Sequence, residues 1–237
     1  MLFELFFRGT NDLNIPLAIF FVLTAIVGYL LGSLNFGIIF SKLLFKQDVR
    51  SSGSGNAGAT NMLRTYGKKA GLLTFLCDGI KTAVAMSVSY LLMPPRYIVM
   101  GMFISGVACM IGHTYPVFFK FKGGKGVACF AVLVLMTSIA MSIWYLFLIL
   151  FLIFAVIVIG TRFVSLGSVL CALLYPIFLN RINALVENNP YVSIELFAIL
   201  AGLFVVFQHR SNLVRLFHGE ENKISLSKKN KENEKSK

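Results

Sequence analysis

Hydrophobic residues run through this chain in long, uniform blocks broken by short polar segments. The blocks cover approximately residues 16–40, 71–93, 97–117, 127–142, 144–160, 165–180 and 191–208. An α-helix rises about 1.5 Å per residue and a bilayer's hydrocarbon core is about 30 Å thick, so apolar runs of roughly 18 residues predict membrane-spanning helices. The pattern therefore predicts an all-α polytopic membrane protein with seven transmembrane helices. The first block is preceded by Glu4, Arg8 and Asp12, and no small-residue cleavage site ends it. It reads as a retained helix, not a removed signal peptide.

Composition agrees. Of 237 residues 57% are hydrophobic and 14% charged, which excludes an ordinary soluble domain. Cys77, Cys109, Cys129 and Cys171 all fall inside the apolar blocks without CxxC spacing or histidine neighbours. They read as packing residues, in preference to disulfide or zinc ligands.

Charge then orients the helices. Seven spans divide the connecting segments and termini into two sets. One carries eighteen of the 22 Lys and Arg residues, the other only Arg8, Arg96 and Arg181, and Lys81 lies within a span. Positive residues are retained on the cytoplasmic side, so the N-terminus is expected outside and the C-terminus inside. Residues 1–15 are then an external segment, 16–218 a membrane domain, and 219–237 a basic, disordered cytoplasmic tail. The same bias explains the net charge of +12, which disfavours a nucleic-acid partner. Anionic membrane lipids are the natural contact for the tail.

Every polar or glycine-rich cluster lands on or beside the cytoplasmic face: residues 50–69, 120–126, 161–168 and 208–220. Linkers would be distributed over both faces, so these clusters point to chemistry. "GSGNAGAT", residues 53–60, resembles a loop whose backbone amides and small polar side chains cradle an anion. It is not a nucleotide P-loop, because Ala59 stands where the lysine is required. In "FKGGKG", residues 121–126, glycines allow close backbone approach and Lys125 supplies a charge for a phosphate; a plain loop is the alternative. "TRFVSLGS" adds Arg162 and Ser165, and "QHRSNLVRLFHGE" adds His209, Arg210, Asn212 and Arg215.

Asp78 and Lys81 lie at i and i+3 inside the second span, as a structural ion pair or a substrate contact. His113 lies near the basic loop. An HxxxxD pair is missing, since the fifth residues after His113, His209 and His218 are Phe118, Val214 and Lys223. GxSxG, HExxH and metal-binding carboxylate clusters are missing as well.

The ordered motifs "GSLNFG", "GSGNAGATNMLR", "FLCDGIK", "GHTYPVFFKFKGGKGVA", "TRFVSLGS" and "HRSNLVRLFHGEE" resemble those of the bacterial acyl-phosphate:glycerol-3-phosphate acyltransferase family, PlsY, from about Gly32 to Glu221. The resemblance implies seven transmembrane helices with the N-terminus outside, in a bacterial inner membrane with a cytoplasmic-face active site. It implies transfer of an acyl chain from acyl-phosphate to the 1-hydroxyl of sn-glycerol 3-phosphate, giving 1-acylglycerol 3-phosphate and phosphate. No cofactor or metal is implied. An acyl-phosphate is already activated, so the enzyme needs to hold and stabilise the reactants and forms no covalent intermediate.

By the same resemblance, His209, Asn212 and Lys125 are catalytic. Gly53, Ser54, Gly55, Asn56, Thr60, Asn61, Arg64, Gly123, Gly124 and Ser165 bind substrate. Arg64 and Lys125 are expected on phosphate oxygens, and His209 and Asn212 on the acceptor, with the hydroxyl proton passing to a substrate phosphate. Asn35, Thr82, Cys129 and Leu213 depart from the family's usual residues, away from the charged positions. The competing class is an organic-phosphate transporter, but such folds show internal repeats and a mid-membrane site, and neither is evident. A scaffold protein is the weaker third option.

Overall fold

The structure, a computed structural model, describes residues 17–185 and 194–224. The expected external segment, the start of the last span and most of the tail lie outside the described residues. The described chain forms α1 (Leu17–Gly32), α2 (Phe36–Phe45), α3 (Ala59–Tyr66), α4 (Lys68–Leu92), α5 (Ile98–Thr114), α6 (Val127–Ala140), α7 (Tyr145–Thr161), α8 (Val164–Ala184), α9 (Ile194–Gln208) and α10 (Arg210–Phe217). Single 3₁₀ turns at Val49–Ser51, Pro95–Tyr97 and Val117–Phe119 join them, and no strand occurs among the described residues.

The stretches Leu17–Phe45, Lys68–Leu92, Pro95–Phe119 and Val164–Ala184 are long and apolar enough to cross a bilayer, and α9 with α10 makes a fifth if that pair, bent by 56°, is one span. α6 and α7 are apolar but have only 14 and 17 residues. Fourteen residues rise about 21 Å, short of a hydrocarbon core. All seven predicted apolar blocks nonetheless have their helix.

The first block is not one helix. It breaks at Ser33–Asn35, where the Asn35 side chain accepts a hydrogen bond from the Ile38 amide at 3.1 Å and so starts α2 as an N-cap. The last carbonyls of a helix lack intrahelical partners, and here Lys81 reaches in from α4 to donate to those of Gly32 and Leu34 at 2.9 and 2.8 Å. A buried cation thus stabilises the break.

Close packing of α1 on α5 depends on two small residues four apart. A side chain at Gly28 or Gly32 would run into the backbone of Ser105 or Cys109, the small-residue logic of helix contacts in lipid. The main core lies among α4, α5, α6, α8 and α9, around Met86, Phe103, Leu133, Tyr175 and Val205. A second, smaller core of Ile38, Val49, Ala57, Met62 and Ala70 lies beneath the first polar loop. Outward faces are apolar too: Phe151, Leu152, Val156 and Ile159 of α7 are exposed, as lipid contact requires.

Candidate functional site

One end of the bundle gathers the loop before α3, the glycine-rich loop before α6, the α7–α8 junction and the α9–α10 joint around a cavity of about 440 Å³. Ser54, Asn56, Thr60, Asn61, Arg64, Lys125, Ser165, His209 and Asn212 all line it. Motifs far apart in sequence therefore converge. Gly53, Gly55, Gly123 and Gly124 are not among the lining residues. Leu72 and Phe75 of α4 and Phe154 and Val158 of α7 make an apolar side to the same cavity.

The first loop is organised by Asn61. Its amide nitrogen donates to the carbonyls of Val49, Ser52 and Asn56 at 2.9–3.0 Å, and its oxygen accepts from the Ser54 amide at 2.9 Å. These bonds commit the side chain to shaping the loop. Gly53 and Gly55 take φ of +61° and +71°, and a methyl on Gly53 would strike the Asn61 oxygen. Gly58 caps α3 without a side-chain bond, so the first amides of α3 are left open beside the cavity.

Arg50 holds this loop to the next. It forks onto both oxygens of Asp48 (2.9 and 2.7 Å) and donates to the carbonyls of Phe119 and Lys122, each at 2.9 Å. The hydrogen bond from Arg50 is the main reason the Asp48 carboxyl falls to about 2. The sequence alone gives Arg50 no role, because the carbonyls through which it joins the two loops lie about 70 residues away.

The glycine-rich loop lies on the end of α5. Gly123 and Gly124 donate to the carbonyls of Thr114 and His113 at 3.0 and 3.1 Å, so these two amides support Lys125 and are not free for an anion. A side chain on Gly124 would collide with the His113 ring. His113 and Asp78 form part of the cavity floor. The Asp78–Lys81 pair is 2.8 Å apart and almost fully buried, and the His113 Nδ1 lies 3.0 Å from the Lys81 Nζ. It is a structural pair that also reaches the site.

Burial pushes the Lys125 ammonium down to about 8, with Arg215, Arg64 and Arg210 adding repulsion against partial compensation from Glu221. Burial also lowers the Arg64 guanidinium from its usual range. Burial together with the Lys125 charge brings His209 down to about 4. Its Nδ1 is 2.8 Å from the Val205 carbonyl, which only accepts, so Nδ1 carries the hydrogen and Nε2 is left as an acceptor.

Glu221 was legible only as the last letter of a motif. Its Oε1 accepts from Ser165 Oγ at 3.0 Å and Asn212 Nδ2 at 2.7 Å, and its Oε2 from Arg215 Nε at 3.0 Å. Burial alone would raise its carboxyl, but these donors outweigh that and hold it below the usual range. The chain just after it is fastened at two points: Arg64 donates to the Asn222 carbonyl at 3.0 Å, and the Ile224 amide to the Arg162 carbonyl at 2.9 Å. Only the fold brings these groups together.

Fold and site together define a multi-pass helical membrane protein with a cationic pocket open to apolar helices. The family model for glycerol-3-phosphate acyltransferase matches residues 22–219. A glycerol-3-phosphate acyltransferase from Finegoldia magna is 40% identical over 87% of this chain and 97% of its own length. One from Syntrophomonas wolfei is 41% identical over 83% and 93%. The crystal structure of PlsY (YgiH), an integral membrane glycerol 3-phosphate acyltransferase, in its glycerol 3-phosphate form, superposes with a TM-score of 0.74 at 35% identity, covering 86% of this chain and 96% of that one. Its lysophosphatidic acid form gives 0.71 at 34% identity, covering 86% and 95%. The chain belongs to the glycerol-3-phosphate acyltransferase family.

Proposed function

We propose that this protein transfers an acyl chain from acyl-phosphate to the 1-hydroxyl of sn-glycerol 3-phosphate, releasing 1-acylglycerol 3-phosphate and phosphate, without a covalent enzyme intermediate. The observation that carries this reading is one cavity with two kinds of lining: the cations Arg64 and Lys125, and the apolar Leu72, Phe75, Phe154 and Val158. Such a cavity suits two phosphates and an acyl tail. The membrane setting we propose is a bacterial inner membrane crossed seven times, with residues 1–15 outside, 16–218 as the membrane domain and the tail from 219 with the site on the cytoplasmic face.

In this reading Arg64, Lys125 and the amides at the start of α3 hold phosphate oxygens, with Ser54, Asn56 and Thr60 beside them. His209 and Asn212 hold the acceptor. The hydroxyl oxygen bonds to the acyl carbonyl carbon, the bond from that carbon to the phosphate oxygen breaks, and phosphate leaves with the electron pair. Lys125 offsets the charge that develops on the leaving group. His209, at about 4, is a weaker base than a phosphate dianion, whose conjugate acid lies near 6. The hydroxyl proton therefore goes to a substrate phosphate. Ser165 has a carboxylate partner, but Glu221 is held below the usual range by three donors, which makes it a poor base for activating a serine nucleophile.

The test uses purified protein with acyl-phosphate and glycerol 3-phosphate, following lysophosphatidate and released phosphate. Formation of both supports the reading. Absence of product with acyl-phosphate and also with acyl-CoA overturns it.

A further inference from the structure

Asn212 is 8% exposed, lines the cavity, and its side-chain oxygen is buried without a hydrogen-bond partner. Its orientation is not open to choice. Glu221 Oε1 lies 2.7 Å from the Asn212 amide nitrogen, and an ionised carboxylate only accepts, so the NH₂ group must face Glu221 and the carbonyl oxygen must face away. The same carboxylate oxygen takes the Ser165 hydroxyl hydrogen at 3.0 Å, leaving that hydroxyl's lone pairs for other donors. His209, three residues before Asn212, also presents an acceptor, because its Nδ1–H is committed to Val205. Three side chains that could each donate or accept are thereby all turned into acceptors.

We infer that Glu221 is a positioning residue that sets the hydrogen-bond polarity of the acceptor subsite, turning the Asn212 oxygen to accept from the 2-hydroxyl of glycerol 3-phosphate and to disfavour a carbonyl at that carbon. The inference deepens the proposed function and rests on it. An amide oxygen is far too weak a base to receive the reacting 1-hydroxyl's proton, so it suits the hydroxyl that is not acylated. A buried acceptor that meets a donor gains a bond, whereas one that meets another acceptor loses its water and gains nothing. The phosphate-binding cations do not distinguish the two cases.

The probes are glycerol 3-phosphate, dihydroxyacetone phosphate, which has a carbonyl at C2 and keeps the reacting hydroxyl, and inorganic phosphate. Each is titrated calorimetrically into the intact purified protein without an acyl donor, so the readout does not depend on turnover. The wild type is expected to bind glycerol 3-phosphate at least about tenfold tighter than dihydroxyacetone phosphate. In Glu221→Gln the Asn212 amide is free to reverse and donate. The preference should then shrink to about threefold or less, chiefly through tighter binding of the ketone, with inorganic phosphate affinity little changed. A merely structural role for Glu221 would weaken all three ligands together and leave the ratio intact. That result overturns the inference, as does a wild type that binds both esters equally.

If Glu221→Gln unfolds in detergent, Asn212→Ala replaces it. Loss of the preference supports the assignment of the Asn212 oxygen, and its retention overturns it. A wild type that shows the binding preference but forms no acylated product refutes the acyl transfer and leaves the polarity assignment standing.

Discussion

Asp78 and Lys81 form a 2.8 Å ion pair that is almost completely buried, and the lysine of that pair also donates to the carbonyls of Gly32 and Leu34 where α1 gives way to α2. Removing one member of a buried pair leaves an uncompensated charge, which costs about 3–5 kcal/mol. Lys81→Met is expected to lower the melting temperature in detergent sharply. Asp78→Asn combined with Lys81→Met should be milder than the single change, because no lone charge remains. The comparison is made by thermal melting of the purified variants.

Lys125 titrates at about 8 because of burial, so its charge is present below that pH and lost above it. Glycerol 3-phosphate affinity should therefore hold up to about pH 8 and fall by up to about tenfold per pH unit beyond it. Arginine stays charged throughout this range. The KM of Lys125→Arg should be flat from pH 7 to 9.5 even if kcat drops. With His209 at about 4, His209 itself is expected to contribute no step between pH 5 and 8. Initial rates across pH check each point.

Arg50 joins the first loop to the carbonyls of Phe119 and Lys122, at the start of the glycine-rich loop. Arg50→Ala should raise the KM for glycerol 3-phosphate by about tenfold, the effect of losing bonds from a charged donor. Arg50→Lys should recover little, since an ammonium cannot fork between Asp48 and the carbonyls. Steady-state kinetics with a melting control separate this from unfolding.

Gly53 lies at a φ of +61° against the Asn61 side chain. Gly53→Ala adds strain of about 1–2 kcal/mol and pushes on Asn61. Activity should fall by at least about tenfold while the melting temperature drops by only a few degrees. An unchanged rate would show that the loop's shape does not matter to the reaction.

His209→Ala distinguishes positioning from base catalysis. If the proton goes to a substrate phosphate, kcat should fall only through lost orientation, by about ten- to hundredfold, and the shape of the pH profile should be preserved. Disappearance of an acid limb from the pH–rate curve would assign the proton to His209.

Much of this was legible in the chain. The apolar blocks at 71–93, 97–117 and 165–180 correspond closely to α4, α5 and α8, because in lipid a backbone must satisfy its own hydrogen bonds and a long apolar run becomes a helix wherever it lies. Lys125, Ser165, His209 and Asn212 stand out from local motifs, Arg64 is added by the family resemblance, and all five line the cavity. Local chemistry sufficed for most of these: a lysine among glycines, or a histidine and an asparagine among cations at a helix end, stands out in a chain that is otherwise apolar.

Tertiary structure decided the rest. Asn61, Gly123 and Gly124 belong to the motifs, yet their hydrogen-bonding groups serve the loops themselves, and only the paths of neighbouring segments reveal it. The break after Gly32 is set by Asn35 together with Lys81, which comes from another helix. Glu221 carries no local signal, since its importance comes from Ser165, 56 residues earlier, and from Asn212 and Arg215 folding back on it. Sequence determines which segments enter the membrane and where charge collects, through transfer energies that each segment carries alone. Donor and acceptor directions at the site depend on pairs of distant groups, and those are fixed only when the helices pack.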